Sequence, residues 1–173
     1  AAGQHDQLAA RKAFRSVGPS QNRTPAAPPP SGPEYLLVDG YNVIFAWDEL
    51  KKIAAENLDA ARRRLMDILC NYAGYRKCVP ILVFDAYRVK GAGREQETWH
   101  NLHVIYPREA ETADMFIERA THELAKNHRV RVVSSDGAEQ IIILGNGALR
   151  VSARAFEREV RAVEAEIREF LDQ

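Results

Sequence analysis

The sequence has no apolar run of roughly 18 residues, the length that a membrane-spanning helix needs. Its amino terminus also lacks a basic segment followed by an apolar one, so no secretion signal is indicated. Cysteine is scarce: Cys70 and Cys78 are too few for a disulfide framework, and the five histidines show no metal-ligand spacing with either of them. These absences argue against a membrane protein, a disulfide-rich secreted protein and a zinc site. We expect a cytoplasmic protein.

Net charge is absent as well, since 24 basic and 24 acidic residues balance across the 173 residues. The charge is unevenly placed, because residues 1–33 contain four basic residues, one acidic residue and most of the prolines. Such a composition buries too little apolar surface to fold by itself. We predict a flexible, proline-rich basic linker or tail over residues 1–33 and one folded domain over residues 34–173.

Within that domain, short apolar runs alternate with segments of helical periodicity. The apolar runs predict strands over residues 35–39, 79–84, 102–106, 129–134 and 148–151. The periodic segments predict helices over residues 58–72 and 113–124, a short helix over residues 139–144, and a last helix capped by Ser152. This alternation predicts an α/β fold with a central, mainly parallel sheet and helices on both of its faces.

Carboxylates follow several of the predicted strands. Asp39 and Asp85 come after the first two, Asp136 follows the strand over residues 129–134, and Glu111 and Asp114 lie three residues apart where a helix is predicted to open. The carboxyl ends of parallel strands meet at one edge of a sheet, so these side chains should converge there. Such a cluster is costly unless a divalent cation neutralises it. The sequence therefore predicts a metal site.

Each acid also has a purely structural interpretation. Asp39 and Gly40 could form only a turn, Glu111 and Asp114 could serve only the helix dipole, and Asp136 could serve only as a helix cap. Strand-end aspartates are not needed for capping, so Asp39 and Asp85 are the strongest candidates on their own.

Other classes of site fit the sequence poorly. An aspartyl-nucleophile phosphatase needs an acid two residues after the first one, where this chain has Tyr41. A dinucleotide site needs a glycine-rich turn after the first strand, where the chain offers only Gly40. Ligand sets made of oxygen alone favour magnesium or manganese over zinc.

Basic residues supply a possible partner surface for phosphate. Arg88, Lys90 and Arg94 surround two glycines in the segment after Asp85, and this loop is either a phosphate-binding element or merely solvated. Arg150 and Arg154 are further candidates for phosphate contact, and Asn42 offers an amide to a ligand. We predict that Arg62, Arg63 and Arg64 form the solvated face of a helix.

Five motifs together resemble the YacP-like branch of the NYN domains, which belong to the PIN-like nucleases. The motifs span residues 37–42, 83–86, 111–114, 134–140 and 145–154, and the resemblance covers about residues 34–173. It implies a PIN-like three-layer α/β/α fold and a metal-dependent endoribonuclease that hydrolyses RNA phosphodiester bonds. Asp39, Asp85, Asp114 and Asp136 match the metal-binding acids, with Glu111, Asn42 and Glu139 in support.

The resemblance also implies partners. Some relatives act on messenger RNA at the ribosome, and some are fused behind a translational GTPase, so this chain could follow such a domain in a longer protein. One departure is that Met115 follows Asp114 where relatives can have another acid. An alternative is therefore a non-cleaving RNA- or ribosome-binding module with the same fold. A nuclease that acts on DNA is a third hypothesis.

Overall fold

A computed structural model describes residues 32–85, 96–108, 110–134, 142–144 and 148–173. The predicted linker lies almost entirely outside these ranges, and so does the predicted basic loop with Arg88, Lys90 and Arg94. Asp136 and Glu139 also lie outside the described residues.

The described strands form one seven-stranded sheet in the order β3-β4-β2-β1-β5-β7-β6. Neighbouring pairs among β4, β2, β1, β5 and β7 are parallel, and β3 and β6 pair antiparallel at the two edges. The strands are β1 (Tyr35–Asp39), β2 (Val79–Val83), β3 (Gln96–Trp99), β4 (Leu102–Ile105), β5 (Val130–Ser134), β6 (Ile142–Leu144) and β7 (Ala148–Ser152). The predicted α/β class with a mainly parallel sheet is confirmed.

The helices are α1 (Gly40–Ala46), α2 (Asp48–Glu56), α3 (Leu58–Arg76), α4 (Ala113–Leu124) and α5 (Ala153–Leu171). None of them is long and apolar enough to cross a membrane. The prediction of a helix over residues 139–144 is wrong, because Ile142–Leu144 is a strand that pairs with β7. Successive branched aliphatic residues favour the extended conformation over a helix.

Two apolar cores lie on opposite faces of the sheet. On one face Leu36, Val38 and Leu82 pack with α1, α2, α3 and α5, and on the other Leu37, Val83 and Val132 pack with α4. Successive strand residues point to opposite faces, so both faces of these strands are buried and the strand sequences are continuously apolar.

The turn from β1 into α1 requires glycine at position 40. A Cβ there would lie 2.2 Å from Cε1 of Phe84, a fully buried ring that cannot move aside easily. We expect Gly40→Ala to lower the free energy of unfolding by about 1–3 kcal/mol, as overpacked cores do.

Gly74→Ala is the matched control, because Gly74 lies in α3 and nothing lies within 4 Å of its added Cβ. It should be neutral or stabilising by roughly 1 kcal/mol, since alanine favours a helix. Urea unfolding measures both variants. Equal stability changes would contradict the steric role of Gly40.

Candidate active site

The first residue of the candidate site is Asp39, which lies at the carboxyl end of β1. Its side chain is only 6% exposed and accepts hydrogen bonds from the backbone N–H of Asn42 (3.4 Å) and from Asn42 Nδ2 (2.9 Å). Asp39 is therefore the N-cap of α1. The expectation that strand-end aspartates have no capping role is wrong for this residue, because α1 starts immediately after the strand.

Asp39 also carries an unusual ionisation. Burial raises its pKa from 3.8 to about 7, the backbone N–H of Asn42 opposes the rise, and the charges of Asp114 and Asp85 add to it. The nearby carboxyl group of Asp114 also favours the protonated form of Asp39 and so raises the pKa further. The structure thus brings three of the predicted acids together at the carboxyl edge of the sheet.

Asp85, two residues after β2, links that strand to α4. Its Oδ1 accepts a hydrogen bond of 2.7 Å from the backbone N–H of Ala113, the first residue of α4. The side chain of Thr112 accepts from the N–H of Met115 and caps the same helix. The oxygen atoms of Asp85 and Thr112 therefore accept from two backbone N–H groups in the first turn of α4, which have no partner within the helix. These hydrogen bonds hold α4 and its Asp114 against the sheet.

The contact between Asp85 and Ala113 gives a prediction that separates geometry from charge. Asp85→Asn retains a carbonyl oxygen for the Ala113 N–H, whereas Asp85→Ala removes it. Both changes remove the negative charge, so their difference isolates the hydrogen bond. We expect the alanine variant to be less stable than the asparagine variant by about 1 kcal/mol in metal-free buffer. Indistinguishable urea midpoints would contradict this role.

Glu111 lies outside the helix. The sequence places it with Asp114 where a helix opens, but the helix begins only at Ala113, after the Thr112 cap, so the two acids do not share a helical face. The guanidinium of Arg119 donates to both carboxylate oxygens of Glu111, at 3.0 and 3.1 Å. Glu111 is thus bound to Arg119, and this pairing fixes the segment that precedes α4.

Basic residues at this edge have defined positions. Arg150 Nε donates to the Oγ of Ser134, the last residue of β5, over 2.7 Å, and Arg154 is exposed in the first turn of α5. The prediction that Arg62 lies on the solvated face of its helix is wrong, because its half-buried side chain donates to the hydroxyl of Tyr41 at 3.1 Å. Arg63 and Arg64 are exposed, as predicted.

The chemistry of the described donors fits a hard divalent cation. They are carboxylates and an amide, and the pKa of Asp39 is raised chiefly by burial and further by the charges of Asp114 and Asp85, which a cation would offset. Within the described part of the chain, no group of three His, Cys, Asp or Glu side chains is arranged to hold a metal ion. Asp136, the fourth acid that the sequence predicts, is outside that part. The ligand set remains a prediction.

Comparison with known proteins identifies the family. The family model of the YacP-like NYN domain matches residues 36–173. The chain belongs to this family. It is 43% identical over 135 residues to the protein YacP of Bacillus subtilis (strain 168), covering 78% of this chain and 79% of YacP.

Solved structures agree with this membership. The crystal structure of Rae1 (YacP) from Bacillus subtilis superposes with a TM-score of 0.67 at 41% identity, over 80% of this chain and 79% of that one. A tryptophan-to-leucine mutant of the same protein gives a TM-score of 0.63 at 39% identity, over 78% of this chain and 79% of that one. The predicted resemblance is therefore confirmed. NYN domains belong to the PIN-like nuclease superfamily, which generally uses divalent metals, so membership suggests a nuclease or RNA-related function.

Proposed function

We propose that this chain is a metal-dependent endoribonuclease that hydrolyses RNA phosphodiester bonds. One observation carries the proposal: in a YacP-like NYN domain, a buried Asp39 with a pKa of about 7 lies near Asp85 and Asp114 at the carboxyl edge of the sheet. An acid held at such a cost to folding is typical of a functional site. Messenger RNA at the ribosome is the substrate and setting that the family resemblance favours, and the cytoplasm is the matching location.

Asp39, Asp85 and Asp114, with Asp136 from the sequence, would hold magnesium or manganese. The bound ion would lower the pKa of an attacking water and stabilise negative charge on the phosphate. The chain's own residues prepare the site. Asn42 fixes the carboxylate of Asp39 through its two hydrogen bonds, and Asp85 is oriented by its contact with Ala113. The preorganisation of these acids reduces the cost of arranging them during the reaction.

The basic residues would hold the substrate. Arg150, beside the end of β5, and the exposed Arg154 lie where an RNA backbone would approach the acids, and Arg88, Lys90 and Arg94 are the sequence's further candidates. Glu111 is a supporting candidate from the family resemblance, and one role open to such a carboxylate is to orient the attacking water. Its two hydrogen bonds from Arg119 favour a positioning role, so we assign it to holding the start of α4. The products would carry a 3′-hydroxyl and a 5′-phosphate.

The proposal is tested by incubating the full chain with a single-stranded RNA labelled at one end, in magnesium, in manganese and in EDTA. A DNA of the same sequence serves as the comparison. We expect internal cleavage of the RNA in metal, none in EDTA, and products that a 5′-phosphate-dependent exonuclease degrades. Cleavage that persists in EDTA would contradict the proposal, and so would the absence of cleavage in every metal. Equal cleavage of the DNA would contradict the restriction to RNA.

A second candidate is a non-cleaving RNA- or ribosome-binding module. Met115 favours it, because this side chain is 53% exposed beside Asp114, where relatives can have another acid. The same assay separates the two functions. The binding module predicts RNA binding without cleavage in either metal, and unchanged RNA binding when Asp39 is replaced by asparagine.

A further inference from the structure

One exposed aromatic side chain lies in the helix that follows Asp39. Phe45 is 45% exposed and belongs to α1, the helix that Asp39 caps, three residues after Asn42. Residues three apart on a helix are neighbours on its surface. The six residues from Asp39 to Phe45 span about 9 Å along a helix, so a ligand held at Asp39 is within reach of the Phe45 ring.

The helix remains at the carboxyl edge of the sheet along its whole length. Trp47 directly follows α1, is fully buried, and donates from Nε1 to the backbone oxygen of Ala153 over 2.8 Å. Ala153 begins α5 at the carboxyl end of β7. The two ends of α1 are therefore tied to the carboxyl ends of two parallel strands, β1 and β7.

A rigid base supports the Phe45 ring. Its centroid lies 6.3 Å from that of Tyr41, and the two rings are 26° from parallel. Tyr41 is in turn buried against Phe84, with ring centroids 5.1 Å apart, and its hydroxyl accepts a hydrogen bond from Arg62. An aromatic ring that is already ordered loses little conformational entropy when a ligand stacks on it.

Apart from Met115, the other exposed large apolar side chains of the described residues lie elsewhere: Tyr75 is in the last turn of α3, and Leu171 ends α5. Trp99 pairs with Leu102 at the start of β4, so it lies at the amino edge of the sheet, and Phe170 lies at the last turn of α5, about 25 Å along that helix from Ala153. Among the described residues, only Phe45 and Met115 combine this exposure with a place in a helix that has one of the clustered acids at its start.

We propose that Phe45 is a stacking platform for one nucleobase of the RNA strand whose phosphate lies at the acids. This inference rests on the proposed function and adds a subsite to it. Every base has a flat π-face, so stacking on phenylalanine contributes to the binding of a single strand without specificity for its sequence. A paired duplex hides those faces, and Phe45 therefore favours single-stranded over double-stranded RNA.

The test measures binding of a short, fluorescein-labelled single-stranded RNA to the full chain in EDTA, where the proposed nuclease does not cut. We expect Phe45→Ala to raise Kd roughly 5- to 100-fold, the range for loss of one stacked base. Phe45→Tyr should bind within about twofold of the unmodified chain, because it keeps the ring. Phe45→Leu should resemble the alanine variant, because it keeps apolar bulk but loses the flat face.

Phe170→Ala is the matched control, since this phenylalanine is 74% exposed and remote from the acids, and its Kd should not change. A second measurement places a single abasic nucleotide at successive positions of the RNA. One position should weaken binding to the unmodified chain and have no further effect on Phe45→Ala. Thermal unfolding shows that each variant is folded.

The outcomes distinguish the two proposals. If the unmodified chain neither binds nor cuts RNA, the proposed function fails. If it binds and cuts RNA but Phe45→Ala binds equally well, only the stacking platform fails. Full binding by Phe45→Leu would overturn stacking in favour of a general apolar contact with the RNA.

Discussion

Replacing Asp39 by asparagine should reduce metal-dependent RNA cleavage by at least roughly 1,000-fold, measured as kcat/KM, while the protein remains folded. The change removes the negative charge at the centre of the acid cluster and preserves the shape of the side chain. The Oδ1 of asparagine still accepts from the Asn42 N–H, and the Asn42 amide can rotate to present its oxygen to the new NH2 group. The cap of α1 therefore survives, and only the charge is lost.

Asp67→Asn provides the control for this prediction. Asp67 is exposed on α3, so the same substitution there should leave cleavage unchanged. Comparable activity in the Asp39 and Asp67 variants would show that Asp39 is only a structural cap. The circular dichroism spectrum of Asp39→Asn at the assay temperature should match that of the unmodified chain. A match excludes unfolding as the cause of lost activity.

The second large effect concerns stability and pH in metal-free protein. The pKa of Asp39 is about 7 in the folded chain and near 3.8 when unfolded, chiefly because burial penalises its charged form. Between these two values the folded state holds a proton that the unfolded state has released, so stability falls as pH rises from about 4 to about 7. Each pKa unit corresponds to about 1.4 kcal/mol, and the full cost above pH 7 reaches up to about 4 kcal/mol.

Asparagine at position 39 has no such titration. Urea unfolding in EDTA should show Asp39→Asn gaining stability relative to the unmodified chain when pH rises from about 4 to about 8. Near pH 4, where the folded Asp39 is neutral, the two proteins should differ little from this cause. A stability difference that is the same at both pH values would contradict the raised pKa of Asp39.

Much of the fold could be predicted because its strands are buried on both faces. Continuous apolar runs such as Leu36 to Val38 need no tertiary information to be recognised. Neither α1 nor α2 was predicted, and for α1 the reason is that Gly40 and Asn42 are typical turn residues. These helices depend on long-range packing, above all on Trp47 reaching the backbone of Ala153, more than a hundred residues away.

The site was predictable to the extent that topology determines it. Strand-end positions for Asp39 and Asp85 follow from apolar runs, and a parallel sheet brings such ends together. The partners of individual side chains were not predictable, because they depend on rotamers and on contacts between distant elements. The pairing of Glu111 with Arg119, the burial of Arg62 against Tyr41 and the hydrogen bond from Ala113 to Asp85 are of this kind.

The central claim is the proposal that Asp39, Asp85 and Asp114, together with Asp136, hold a divalent cation, and calorimetric titration of the metal-free chain with manganese tests it most directly. Performed above pH 7, where Asp39 is ionised, the titration should give saturable binding with a Kd of roughly 1 mM or tighter. Asp39→Asn should bind at least roughly tenfold more weakly, and Asp67→Asn should bind like the unmodified chain. Absence of binding to the unmodified chain, or identical isotherms for all three proteins, would contradict the claim.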